Sequence, residues 1–271
     1  MKYNKILLAA TVSALLLLFD GSAAPAPALK ISFIAGEVKL NRAGKVFAAS
    51  PGDPVLENDV LKVADRSMLK IEGADGLSVE IHGPRLFRYT AAVVGRLNEN
   101  SGRLYTLLEK LSKKSVGYYP RTIVTAVRKG GNGKAPEYWD REAVEAMETL
   151  VRAVEKKDME RAKIALRRIE SMDVSSFRKS GLMLLDYCRA EILFHDMLYD
   201  EALSHFLKIY KPGLTSFPYR QEAHAKAVIC ADLLGREVLR RELLGSYREV
   251  YGKEGDYLAD LESLPGDTGM K

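Results

Sequence analysis

Apolar and polar residues alternate through Ser67–Pro84 on both sides of Gly73-Ala74-Asp75-Gly76: Leu69, Ile71, Leu77, Val79 and Ile81 share one parity, and Lys70, Glu72, Ser78, Glu80 and His82 the other. Period two around a glycine-bearing turn predicts a β-hairpin with one buried face. A lone hairpin is marginal in water, so neighbouring strands must complete a sheet. Lys30–Leu40 alternates in the same way and reads as one strand with Gly36 allowing a bend or bulge in its middle. Turn residues at Asn41–Gly44, Pro51–Pro54 and Glu57–Asp59 then cut out short strands at Lys45–Ala48 and from Val60 to Val63, and Leu86–Thr90 adds one more. This half predicts an all-β sandwich or rolled sheet.

The period then changes. Leu104, Leu107, Leu108 and Leu111 recur at helical spacing between Asn98 and Lys114, so one amphipathic helix is expected to lie across the open face or edge of the sheet. Lys129–Pro136 is glycine-rich and closes with proline, which marks a linker. Beyond it, Ala143, Met147, Leu150, Val151 and Val154 form one helical stripe, and Ala162, Ala165, Leu166 and Ile169 a second after Lys156-Lys157-Asp158. Further paired stripes follow. The expected fold class is α+β in two domains: an N-terminal β half with one inserted helix, and a C-terminal α-helical hairpin solenoid.

Two families share these patterns. Gly36-Glu37-Val38, Gly52-Asp53 with Asn58-Asp59, the hairpin at Asp75-Gly76 and the stretch Pro120–Arg128 together resemble the FecR-type periplasmic β domain. Tyr199, Ala202, Phe206 and Pro212 follow the order of a tetratricopeptide repeat's second helix, where a small residue lets two helices cross closely. Met159–Ala162 with Leu166 matches that order weakly. Gly235-Arg236-Glu237 with Leu244 and Tyr247 carries Arg240 where the small residue is expected, and the units recur about every forty residues rather than ~34. The resemblances imply a FecR-like β domain over 29–131, a linker over 132–137 and a degenerate tetratricopeptide-like domain over 138–264, with a frayed tail at 265–271. In such repeats Tyr187, Phe194, Tyr199 and Phe206 are the candidate protein-binding positions, with a place in the core as their plainer role.

Composition adds a compartment. Lys2 and Lys5, the apolar run Ile6–Phe19 and the small-residue string to Ala28 form a secretory signal over 1–28, and the run is short for a membrane span. Removing Lys2, Lys5 and Asp20 takes the formal charge from +5 to +4, with both signs mixed along the helical half, which favours a solvated surface over a nucleic-acid partner. Cys188 and Cys230 are too few for a disulfide framework, and their apolar neighbours suit two buried thiols as well as one bridge.

Reaction chemistry is not spelled out. His82, His195, His205 and His224 lack metal-ligand spacing, Gly130–Lys134 lacks the phosphate-loop pattern, and there is no Gly-x-Ser-x-Gly elbow. The expectation is a periplasmic or secreted non-enzymatic adaptor with no cofactor, holding protein partners in an envelope assembly. Cell-wall glycan binding by the β domain and a FecR-like signalling role are the alternatives.

Overall fold

A computed structural model describes residues 29–73, 76–114, 137–172, 177, 179–210, 217–252 and 255–264. The expected signal, the stretch Pro120–Arg128, the linker residues before Glu137 and the tail all lie outside the described residues. The chain is α+β. Its strands are β1 (Leu29–Ala35), β2 (Val38–Arg42), β3 (Lys45–Ala48), β4 (Pro54–Val55), β5 (Val60–Val63), β6 (Met68–Glu72), β7 (Ser78–His82) and β8 (Arg85–Arg88). They form two antiparallel sheets, ordered β4-β1-β6-β7 and β3-β2-β5-β8.

The hairpin at Ser67–Pro84 pairs Met68 with His82 and Ile71 with Val79, and its inward set Leu69, Ile71, Val79 and Ile81 is buried. Leu40, Leu61 and Phe87 of the other sheet join the same core. Lys30–Leu40 is not one bent strand. The bulge falls earlier, between Ile31 and Phe33, and at Gly36 (φ +84°) the chain leaves one sheet for the other. A Cβ there would lie 2.3 Å from the Ser67 hydroxyl oxygen, which accepts the Glu37 N–H at 2.9 Å. Close approach of the two strand ends therefore turns an expected bend into a sheet-to-sheet crossing. Asp59 braces the far end, accepting from Arg42 Nη2 at 2.7 Å and from the Leu56 N–H at 2.8 Å.

The helices are α1 (Ala91–Lys114), α2 (Glu137–Glu155), α3 (Met159–Glu170), α4 (Lys179–His195), α5 (Tyr199–Tyr210), α6 (Arg220–Leu233), α7 (Glu237–Tyr251) and α8 (Leu258–Glu262). Three hairpins, α2–α3, α4–α5 and α6–α7, close in the same way. Lys157, Met197 and Gly235, spaced 40 and 38 residues apart, each take a left-handed φ, of 59°, 58° and 66°. Each turn repeats one pair of bonds: Lys157 N–H to Val154 O with Asp158 N–H to Ala153 O, then Met197 to Phe194 with Leu198 to Leu193, then Gly235 to Asp232 with Arg236 to Ala231. The pair satisfies carbonyls that the end of a helix leaves orphaned. Ala162 and Ala202, two residues of the expected small position, are wholly buried. In the last hairpin Arg240 takes that position, also buried, and donates to the Leu264 carbonyl at 2.9 Å. There the small residue gives way to one that ties down the segment at Leu264.

Helix α1 starts earlier than expected, at Ala91, because Thr90 caps it through the Val93 N–H at 3.2 Å. It touches β7 and also packs on α6 and α8. Arg96 and Lys110, with Arg103 midway, recur every seven residues and so line one face, reaching Glu237, Asp260 and the Ser263 carbonyl. Arg88 of β8 adds a pair with Glu201 at 2.6 Å. Among the described residues, no helix is long and apolar enough to cross a membrane.

Candidate functional site

Helix α6 sets the site. Helices α1, α5, α7 and α8 surround it, and all of its residues but Gln221 are buried. A helix covered all round cannot send polar side chains to water, so those it carries must find partners inside. Lys226 finds two carboxylates: Glu191 of α4 at 2.5 Å and Glu222, one turn back, at 2.7 Å. Its ammonium also lies 5.9 Å from the Tyr187 ring centre and 6.0 Å from that of Phe194. Burial opposes the lysine charge, but the two carboxylates outweigh it and hold Lys226 protonated well above its usual range.

Tyr187 stacks on Tyr219 with ring centres 4.4 Å apart, and the Tyr219 hydroxyl donates to Glu155 at 3.2 Å. A small cavity lies beside these rings, lined by Val151, Glu155, Lys157, Tyr187, Cys188 and Glu191 among others, with room for about one water molecule. Burial pushes the Glu155 carboxyl up. Both tyrosine hydroxyls are pushed above their ordinary range by burial and the nearby carboxylates. Cys188 and Cys230 are free, buried thiols, and burial raises both, so neither is poised as a nucleophile.

Chemically this cluster holds position. Lys226 is clamped between carboxylates and has no lone pair to offer, and the phenols keep their protons at neutral pH. Breaking such a pair on one side strands a buried charge, whereas an apolar replacement of the whole set is often tolerated.

The four residues singled out by repeat resemblance divide between two places. Tyr187 belongs to the charge cluster. Phe194, Tyr199 and Phe206 meet edge to face inside the second hairpin, with ring centres 5.4 Å and 6.2 Å from Phe194. Tyr187, Tyr199 and Phe206 are buried and Phe194 is packed against the same core. His195 and His205 take separate partners, His205 facing Asp186 at 2.8 Å and His195 lying 3.4 Å from Arg85. Sequence reasoning did not single out Lys226, Glu191 or Glu222. The i, i+4 spacing of Glu222 and Lys226 was a visible signal, but Glu191 is 35 residues away and only packing brings it in. Among the described residues, no three His, Cys, Asp or Glu side chains group in a way that could hold a metal. No family model, curated protein or solved structure matches the chain, so the reading of this cluster rests on its own residues.

Proposed function

We propose that the chain is an exported, non-enzymatic scaffold that holds a protein partner in the cell envelope, with a FecR-like β domain and a tetratricopeptide-like solenoid as its two modules. The observation that carries this reading is the repetition of one turn geometry at Lys157, Met197 and Gly235, with the three hairpins following one another in sequence order. Stacked hairpins build an extended surface whose stability comes from nearest-neighbour contacts, and such surfaces serve recognition more than catalysis. The buried, paired charge cluster fits the same role. Exposed apolar side chains on the hairpins, Ile164, Leu182, Val238 and Val250, offer contacts that Tyr187, Tyr199 and Phe206 in the interior cannot.

Export rests on the Lys2 to Ala28 pattern, and the exported protein should begin between Ala24 and Leu29 by intact mass. Binding is tested with the full chain: saturable capture of one envelope protein, competed by free chain and weakened by V238D or I164D, is expected. Absence of saturable protein binding together with turnover of a wall substrate would overturn the reading. On the outer faces of the sheets Lys39 pairs with Glu37 and Lys70 with Glu72, which breaks up any basic strip for an acidic wall polymer.

A further inference from the structure

Each sheet has two edge strands, and three of the four edges are closed. β7 packs against α1, β8 is tied to the helices through Arg85 and Arg88, and β4 is two residues long and opens with Pro54, which has no N–H to offer. The fourth, β3, is open: all of Lys45–Ala48 is exposed, Val46 at 61 %. The ladder to β2 defines which of its backbone groups are free. The Ala49 N–H bonds to the Val38 carbonyl, and bonded pairs alternate along an antiparallel ladder, so Lys45 and Phe47 bond to Arg42 and Leu40 while Val46 and Ala48 turn their N–H and C=O groups away from β2. Core packing has the same gap. Phe87, Leu61, Leu40 and Phe47 form one cross-strand row on the inner face of the sheet. The first three are wholly buried, but Phe47 is 40 % exposed, because β3 is the last strand of its sheet among the described residues.

We infer that β3 is the docking edge for a second copy of the chain, which adds its own β3 antiparallel about a two-fold axis at Phe47. Outward groups must meet outward groups, so Val46 of each copy pairs with Ala48 of the other, and each pair exchanges both of its backbone hydrogen bonds. Phe47 then stands directly opposite its own symmetry mate in a non-hydrogen-bonded pair, with Cα atoms ~4.5 Å apart, the closest cross-strand spacing. The inner row runs on from one copy into the other, and each Phe47 covers its mate. A foreign strand would have to bring an aromatic residue in this register; a second copy already carries it. Charge fits as well: Lys45, the only charged residue of β3, falls opposite Ala49 of the second copy and not opposite its own mate. The two-fold pairing uses up the open edge of both copies, so assembly stops at a dimer. A contact of one short strand pair falls below the ~1,200 Å² of a standard interface, so association is expected only at high protein concentration.

The test uses the full chain, and its first readout needs no variant. Amide exchange of Val46 and Ala48 should be fast at ~10 µM and slowed at ~1 mM, while Phe47, bonded to Leu40, is protected at both concentrations. Sedimentation over the same range should pass from monomer to dimer and stop there. V46P removes an outward donor without touching the β2 ladder, and F47K sets two like charges opposite each other; each should weaken association at least ~10-fold. Protection of Val46 and Ala48 that does not change with concentration would mean that another segment of this chain occupies the edge, and would overturn the proposal. A monomer with both amides open at ~1 mM would leave the edge to an extended peptide of another protein and overturn it equally. Growth beyond a dimer, or a dimer that survives both substitutions, would place the contact elsewhere.

Discussion

The sheets and the helices bury polar groups very differently. Among the described residues, Asp59 and Ser67 are the buried polar ones in the sheet half; in the helical half there are Glu191, Asp196, Arg220, Glu222, His224, Lys226, Asp232 and Arg240, five of them on α6 alone. Strand geometry explains the first case. Period two sends every second side chain to the outer face, so Lys70, Glu72 and Glu80 stay wet while Leu69, Ile71 and Ile81 stay dry. A helix sheds its polar residues only if one side is open, and α6 has none. Lys226 and Glu222 pair with each other, Lys226 also with Glu191, and Asp232 with Arg240 of α7, and each of these pairs bears on how neighbouring helices sit.

The largest expected effect tests that contrast directly. Lys226→Met should cost about 3–5 kcal/mol in urea denaturation because two carboxylates lose their buried partner, whereas Lys70→Met should cost under ~1 kcal/mol. Equal, small losses would remove the distinction between the halves. Replacing Glu191, Glu222 and Lys226 together by Leu, Leu and Met should recover most of the loss, leaving helix register as what suffers.

Next in size is His224, whose value burial pulls down from 6.5 to about 4, against a partial counter-effect from its bond to the Leu243 carbonyl. A lowered folded value means that its contribution is complete above pH 6.5 and is lost as pH falls through about 4, roughly 3 kcal/mol in all. Arg220 adds to the lowering, and Tyr210, Tyr247 and Tyr251 surround the ring. Stability measured from pH 7 to pH 4 should fall accordingly, and H224F should flatten that slope.

In the sheet half the matching test is Asp59→Ala. It removes the acceptor of Arg42 and of the Leu56 N–H, and about 1–3 kcal/mol should go with it. A loss as large as that from Lys226→Met would mean that the sheets, too, depend on a buried charge. Smallest is Lys157→Gly, which gives the first hairpin turn the residue already present at Gly235. With φ at 59°, relief of left-handed strain should raise stability by up to ~1 kcal/mol in the same assay.

Local pattern carried much of this far. The hairpin faces follow from alternation alone, and the helical stripes of α2 and α3 follow from Ala143–Val154 and Ala162–Ile169. The break at Lys156-Lys157-Asp158 is where the turn falls. Reading failed where a distant neighbour decided. Gly36 was visible as a break, but whether it bends one strand or passes the chain between sheets depends on Ser67, thirty-one residues on. Arg240 was visible as a departure from the small-residue order, yet its role comes from the Leu264 carbonyl.

The sequence by itself determined the element types, because strand and helix periods are local and need only a water-facing and a core-facing side. Tertiary structure decided which helix has no water-facing side at all. The low amphipathicity of α6, with Glu222, His224, Lys226 and Asp232 spread among alanines, is the same string of letters whether the helix is exposed or enclosed. The packing of α1, α5, α7 and α8 encloses it, and α4 brings Glu191 to Lys226 as a buried pair.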